Sequence, residues 1–217
     1  MRPMRPYLLA MLVLWLGGCS EPASHARGYY MLIDTSGTYT QEIAKAQQII
    51  NYVLANLHPG DSFAVARIDT GSFSEKDIVA RITFDSRPSV TNQQKRAFQQ
   101  TIDEFVKGLR KGSPHTDVSG GLLQAVEYLN EAGTGRKTVL IFSDLEEDLA
   151  KGYVRDFKIP VDGFDVVAVN VTKLRSDNFD PRDYLNRLEN WRKRVESAGG
   201  RWRVINDLER LDPLIAG

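Results

Sequence analysis

Gly28-Tyr29-Tyr30-Met31-Leu32-Ile33-Asp34-Thr35-Ser36-Gly37-Thr38 is an apolar run that ends abruptly in a carboxylate followed by two spaced hydroxyls. Tyr29 to Ile33 reads as a buried strand. Asp34, Ser36 and Thr38 offer hard oxygen donors only, which suits Mg²⁺ or Mn²⁺ and disfavours softer metals that want Cys or His. The same residues also fit a plain strand-to-helix turn in which a hydroxyl caps the helix that follows.

Working outward, strand and helix patterns alternate to the end of the chain. This predicts an α/β fold, a doubly wound and mainly parallel sheet with helices on both faces. If Tyr29 to Ile33 runs upward, Asp34 lies at the top, a helix from about Gln41 to Leu57 descends, and Pro59-Gly60 turns the chain. Ser62 to Ile68 alternates Phe63, Val65 and Arg67 against Ala64, Ala66 and Ile68, a second upward strand. The polar turn Asp69 to Glu75, with Phe73 at its tip, then falls on the upper rim, where it can read partner identity or serve as a plain loop.

Ile78 to Phe84 must come down antiparallel at the sheet edge. A helix from Asn92 to Arg110, with Phe98, Ile102, Phe105, Val106 and Leu109 at core spacing, returns the chain to the top. Gly112-Ser-Pro-His-Thr116-Asp117 breaks it, and Val118 to Leu129 descends with Leu122, Leu123, Val126 and Leu129 on the buried face. Lys137 to Phe142 rises as a short central strand ending in Ser143-Asp144. Three remote segments thus deliver Asp34, Ser36 and Thr38, then Thr116, then Asp144 to the carboxyl ends of neighbouring strands, where open parallel sheets bind ligands.

Asp34-x-Ser36-x-Thr38 resembles the Asp-x-Ser-x-Ser motif of the metal-ion-dependent adhesion site in von Willebrand factor type A domains, with Thr38 keeping the hydroxyl. Thr116 and Asp144 stand where that family's second and third loops supply a Thr and an Asp. The resemblance covers residues 28 to 215 and implies a Rossmann-like sheet with one antiparallel edge strand. It also implies that Ser36, Thr38 and Thr116 ligate the metal directly, while Asp34 and Asp144 act largely through bound water. The cation then stays under-neutralised, and a carboxylate from a partner protein completes its shell. The expected function is reversible protein binding without catalysis.

Two departures stand out. The third segment reads Ser143-Asp144-Leu145-Glu146-Glu147-Asp148 where Thr-Asp-Gly is usual, and the second carries Pro114-His115 where small Gly residues are usual. Glu146, Glu147 and Asp148 read as the solvated first turn of another helix, with a second cation or repulsion of an acidic ligand as alternatives. His115 reads as an incidental surface residue or as one that orients a metal-bound water.

At the amino terminus, Arg2 and Arg5 precede the apolar run Tyr7 to Leu16, the pattern of a secretion signal. The run is shorter than the roughly 20 residues a spanning helix needs. Leu16-Gly-Gly-Cys19 resembles the lipobox of bacterial lipoproteins. This predicts a signal peptide over 1–18, a lipidated Cys19, a short tether over 19–27 and a domain over 28–217. Ser20 after the Cys favours the outer membrane, on its periplasmic side, by resemblance to lipoproteins of two-membrane bacteria. Ser20 to Arg27 spans at most about 28 Å, so the body stays close to the bilayer, with the metal face expected to point away from it.

The single cysteine excludes an internal disulfide and a Cys metal cluster. Removal of residues 1–18, with Arg2 and Arg5, takes the even balance of 28 basic and 28 acidic residues to a formal charge of −2, so nothing global draws the chain to nucleic acid. Lys107, Arg110 and Lys111, and Arg192-Lys193-Arg194 beside Trp191, read as solvated helix faces, and Trp202 as a packed residue in a last strand, Arg201 to Ile205. No Gly-x-Gly-x-x-Gly follows a strand and no Walker loop is present. Asp34-Thr-Ser-Gly-Thr38 also resembles the Asp-x-Asp-x-Thr motif of haloacid dehalogenase-type phosphatases. Ser36 there replaces the leaving-group acid, a task its hydroxyl cannot perform near neutrality. A metal-free scaffold of the same fold is the remaining alternative.

Overall fold

The computed structural model describes residues 25–37, 39–109 and 112–215. The signal peptide, Cys19, Thr38, Arg110 and Lys111 lie outside the described residues. Six strands, β1 (Arg27–Asp34), β2 (Ser62–Ile68), β3 (Ile78–Thr83), β4 (Arg136–Phe142), β5 (Phe164–Val169) and β6 (Arg201–Ile205), form one sheet in the order β3-β2-β1-β4-β5-β6. All neighbours are parallel except β2 and β3, so the descending edge strand expected from chain direction is present.

The helices are α1 (Ile43–Asn56), α2 (Pro88–Gly108), α3 (Val118–Glu131), α4 (Pro181–Glu196) and the short α5 (Asp212–Ile215). The second helix starts a turn earlier than its apolar spacing suggests. Pro88 occupies its first turn, where the missing N–H costs nothing. Among the described residues no helix is long and apolar enough to cross a membrane.

β1 and β4 are near-continuous apolar runs because both of their faces are covered. Tyr30 and Leu32 point into a core shared with Val139 and Ile141 of β4 and with Leu122, Val126 and Leu129 of α3. Tyr29, Met31 and Ile33 point the other way, into a core shared with Ile49, Ile50 and Val53 of α1 and with Phe98 and Ile102 of α2. β2 splits as its alternation requires, Ala64, Ala66 and Ile68 to the first core and Phe63 and Val65 to the second. Each large side chain so buried contributes about 1.5–3 kcal/mol relative to an exposed one. Leu123, expected in the core, is only half-buried.

Strand order reverses between β1 and β4: the chain goes from β1 to β2 and β3 on one side, then crosses through α2 and α3 to β4 on the other. Diverging connections open a crevice at the carboxyl end of such a pair. The expected helix beginning at Glu146 is absent. Residues 145–163 form no helix or strand, and β5 follows directly.

Candidate metal centre

Asp34 is the last residue of β1 and is 1% exposed. Its Oδ1 accepts the Ser36 amide at 2.8 Å and its Oδ2 accepts the Ser143 hydroxyl at 2.7 Å. The second bond follows from register: Ile33 pairs with Phe142, so the next residues on the two strands stand level. Burial pushes the Asp34 carboxyl up from its ordinary range, and the hydrogen bonds from Ser143 and Ser36 only partly offset this.

Asp144 lies one residue further along the same rim and is 4% exposed. Its Oδ1 accepts the Glu146 amide at 3.0 Å. Burial pushes its carboxyl up to about 6, with the Asp34 charge adding to the rise and Arg187 opposing it. The Asp144 carboxyl therefore feels the Asp34 charge, and neither forms an ion pair with a cationic side chain among the described residues.

Thr116 is buried just before α3 and reaches the rim through its backbone. It exchanges two hydrogen bonds with Asp148, Thr116 N–H to Asp148 O at 2.9 Å and Asp148 N–H to Thr116 O at 3.0 Å. On its other side, Ser113 N–H donates to Thr35 O at 2.7 Å, and Ser36 and Ser113 form a parallel bridge. Gly112 permits this approach, because a Cβ there would lie 2.6 Å from the backbone nitrogen of Gly37. The loops carrying Asp34 and Ser36, Thr116 and Asp144 are thus stitched into one surface, while Thr38 is outside the described residues.

The acidic run after Asp144 is not a helix start. Leu145 adopts φ 65°, which breaks any helical path. Glu147 accepts the Ser119 amide at 2.7 Å, in the first turn of α3, and pairs with Arg194 at 3.2 Å. Asp148 takes His115 Nδ1 at 3.0 Å. His115 therefore has a defined partner, and the acidic side chains brace neighbouring loops. Of the basic run on α4, Arg192 pairs with Glu189 and Glu196 on its own exposed face, whereas Arg194 reaches across to Glu147.

Three supporting residues escape a reading of the sequence, and a fourth, Asp117, shows there only as a helix cap. Asp117 caps α3 by accepting Gly120 N–H at 2.8 Å, accepts Ser72 N–H at 3.0 Å and pairs with Arg155 at 2.6 Å. It joins the Asp69–Glu75 turn and the loop after Asp144 to the start of α3, and its place before a helical pattern was a visible capping signal. Arg187 donates to the Asp144 carbonyl at 2.9 Å while paired with buried Asp177. Tyr39 packs edge-on against Phe142 and donates its hydroxyl to the carbonyl of Asn170, which sits at φ 55° beyond β5. The last three are joined by tertiary contacts that no local pattern encodes.

The donor chemistry at this rim suits a hard cation. Among the described residues no trio of His, Cys, Asp and Glu side chains converges as a metal cage. Two desolvated carboxylates on one rim, neither in an ion pair among the described residues, are stabilised by a cation between or beside them.

No protein-family model matches this chain, and no curated protein matches it either. Solved structures do. The chain is similar to a von Willebrand factor type A protein from Catenulispora acidiphila (16% identity, TM-score 0.58), over 87% of this chain and 40% of that one. It is also similar to the pilus adhesin SpaC from Lactobacillus rhamnosus GG (9% identity, TM-score 0.54), over 90% of this chain and 30% of that one. A third match is proximal thread matrix protein 1 from the mussel byssus (13% identity, TM-score 0.50), over 89% of this chain and 47% of that one. The chain spans less than half the length of each.

Proposed function

We propose that this chain, whose fold is that of the von Willebrand factor type A domain, is a divalent-metal-dependent protein-binding module held at a bacterial envelope membrane through lipidated Cys19. Ser36, Thr38 and Thr116 would hold Mg²⁺ or Mn²⁺ directly, with Asp34 and Asp144 orienting its water. The bound cation supplies an open, electrophilic coordination position for a carboxylate of a partner protein. The chain's own groups do the rest. Ser143 and the Ser36 amide fix the Asp34 carboxylate, and the Glu146 amide fixes that of Asp144. The Thr116 and Asp148 backbone pair holds the second and third loops together. Binding is reversible and no bond is made or broken.

The observation that carries this reading is the pair of buried carboxylates, Asp34 and Asp144, at the carboxyl ends of the neighbouring strands β1 and β4, neither in an ion pair among the described residues. The test is thermal unfolding titrated with Mg²⁺ and Mn²⁺ beside Asp34→Asn and Thr116→Ala variants. A native-state ligand raises the melting temperature by mass action, and a saturable rise lost in both variants is expected. No rise in a folded wild-type protein would overturn metal dependence and leave a metal-free scaffold.

A further inference from the structure

At the opposite edge of the sheet, where the parallel strands begin, a cavity of about 340 Å³ opens among Arg27, Tyr29, Arg136, Lys137, Asp165 and Arg201. Three of the strands start with basic residues, β1 with Arg27, β4 with Arg136 and Lys137, and β6 with Arg201. Parallel register sets Arg27 beside Arg136 and Asp165 beside Arg201, so common direction gathers these cations at one edge.

The acidic groups there are already engaged. Asp61 takes the Arg27 guanidinium at 2.7 Å, and Asp165 takes that of Arg203. Arg201 stands 4.0 Å from the same Asp165. Lys137 donates to a neutral acceptor, Asn130 Oδ1 on α3, at 2.6 Å and lies over the Phe164 ring, and Arg136 lines the cavity at an exposed position. Arg136 and Arg201 thus line the cavity with one carboxylate, Asp165, beside Arg201, while the Lys137 ammonium is drawn toward α3 on the other face of the sheet.

We propose that this cavity docks the phosphate groups of an anionic lipid surface. The path of the chain selects that occupant. β1 begins at Arg27 in the cavity wall, and residues 20–27 would join it to Cys19 over at most about 28 Å. A bilayer held that near brings its headgroups to the cations, whose attraction reaches about one Debye length, some 8–10 Å in physiological salt. The docking rests on the lipid-anchor reading for its geometry, and it turns the metal rim away from the membrane.

The test is hydrogen exchange of the full-length protein on vesicles of pure phosphatidylcholine and on vesicles containing phosphatidylglycerol. Residues 26–29, 135–138 and 200–203 gain protection on the anionic vesicles alone and lose it in high salt. Each cation removed weakens attraction to the anionic surface by about fivefold. The double variant Arg136→Glu and Arg201→Glu, both exposed positions, abolishes the protection while peptides at the metal rim exchange as in the wild type. Equal exchange on the two vesicle types overturns the proposal. Equal protection by inorganic phosphate at matched ionic strength also overturns it, in favour of a small-anion site. The mass of the Cys19 peptide reports the anchor separately. Protection of an unlipidated chain keeps the docking and removes the anchor, and a lipidated chain without protection does the reverse.

Discussion

Ser143, the first residue beyond β4, donates its hydroxyl to Asp34, the last residue of β1, at 2.7 Å. One buried hydrogen bond therefore latches the ends of the two central strands, and the same oxygen accepts the Leu145 amide at 3.0 Å. Ser143→Ala strands a buried carboxylate oxygen and a backbone amide. The expected loss is about 2 kcal/mol, read as a lower urea midpoint with an unchanged slope.

Asp117 carries three duties at the start of α3. Asp117→Ala removes the cap, the acceptor for Ser72 and the counter-ion of Arg155 together, at a cost of about 3–5 kcal/mol. Asp117→Asn keeps a capping oxygen and costs less. A double-mutant cycle with Arg155→Met should return a coupling of about 1–3 kcal/mol. Additive losses would show that the pair contributes nothing beyond its separate contacts.

Acid stability depends in part on Asp177. Two hydrogen bonds from Arg187, with the Leu174 amide, hold its carboxyl below the usual carboxylate range. A depressed folded pKa adds stability that is present above the unfolded value, about 3.9, and is lost as pH falls through the folded value. Asp177→Asn is expected to be less stable at neutral pH and to show a flatter acid limb. The two stability curves should converge in strong acid, as followed by denaturant titration at each pH.

Gly112→Ala tests whether loop approach matters to the rim. The added methyl meets the backbone of Gly37, with no flexible side chain to give way. The loops carrying Ser36 and Thr116 must then separate. The expected outcome is a largely retained fold with weakened Mg²⁺-dependent stabilisation, measured by thermal titration.

Five of the six strands were legible because they carry their own signal, whereas β5 was not singled out. β1 and β4 are unbroken apolar runs, β2 alternates, and chain direction alone forced β3 to be antiparallel. The same bookkeeping brought Asp34, Thr116 and Asp144 to one edge. The stretch after Asp144 was not legible. Glu146-Glu147-Asp148 has the composition of a helix first turn, yet Leu145 at φ 65° and the bridge between Asp148 and Thr116 commit the backbone elsewhere. Propensity yielded to tertiary pairing. Arg187 and Asn170 belong to the same class, since their partners lie 43 and 131 residues away. Asp117 was within reach of sequence reasoning as a cap, but its bonds to Ser72 and Arg155 were not.

β1 spans the sheet from Arg27 at one edge to Asp34 at the other, flanked along its length by β2 and β4. Tension applied between the chain preceding Arg27 and the rim at Asp34 runs along this single strand. The covalent backbone of β1 carries that tension, and the ladders to β2 and β4 hold the strand straight without being pulled apart. The helices lie outside that line of force. The shortest covalent path between the two ends of the sheet is thus eight residues long.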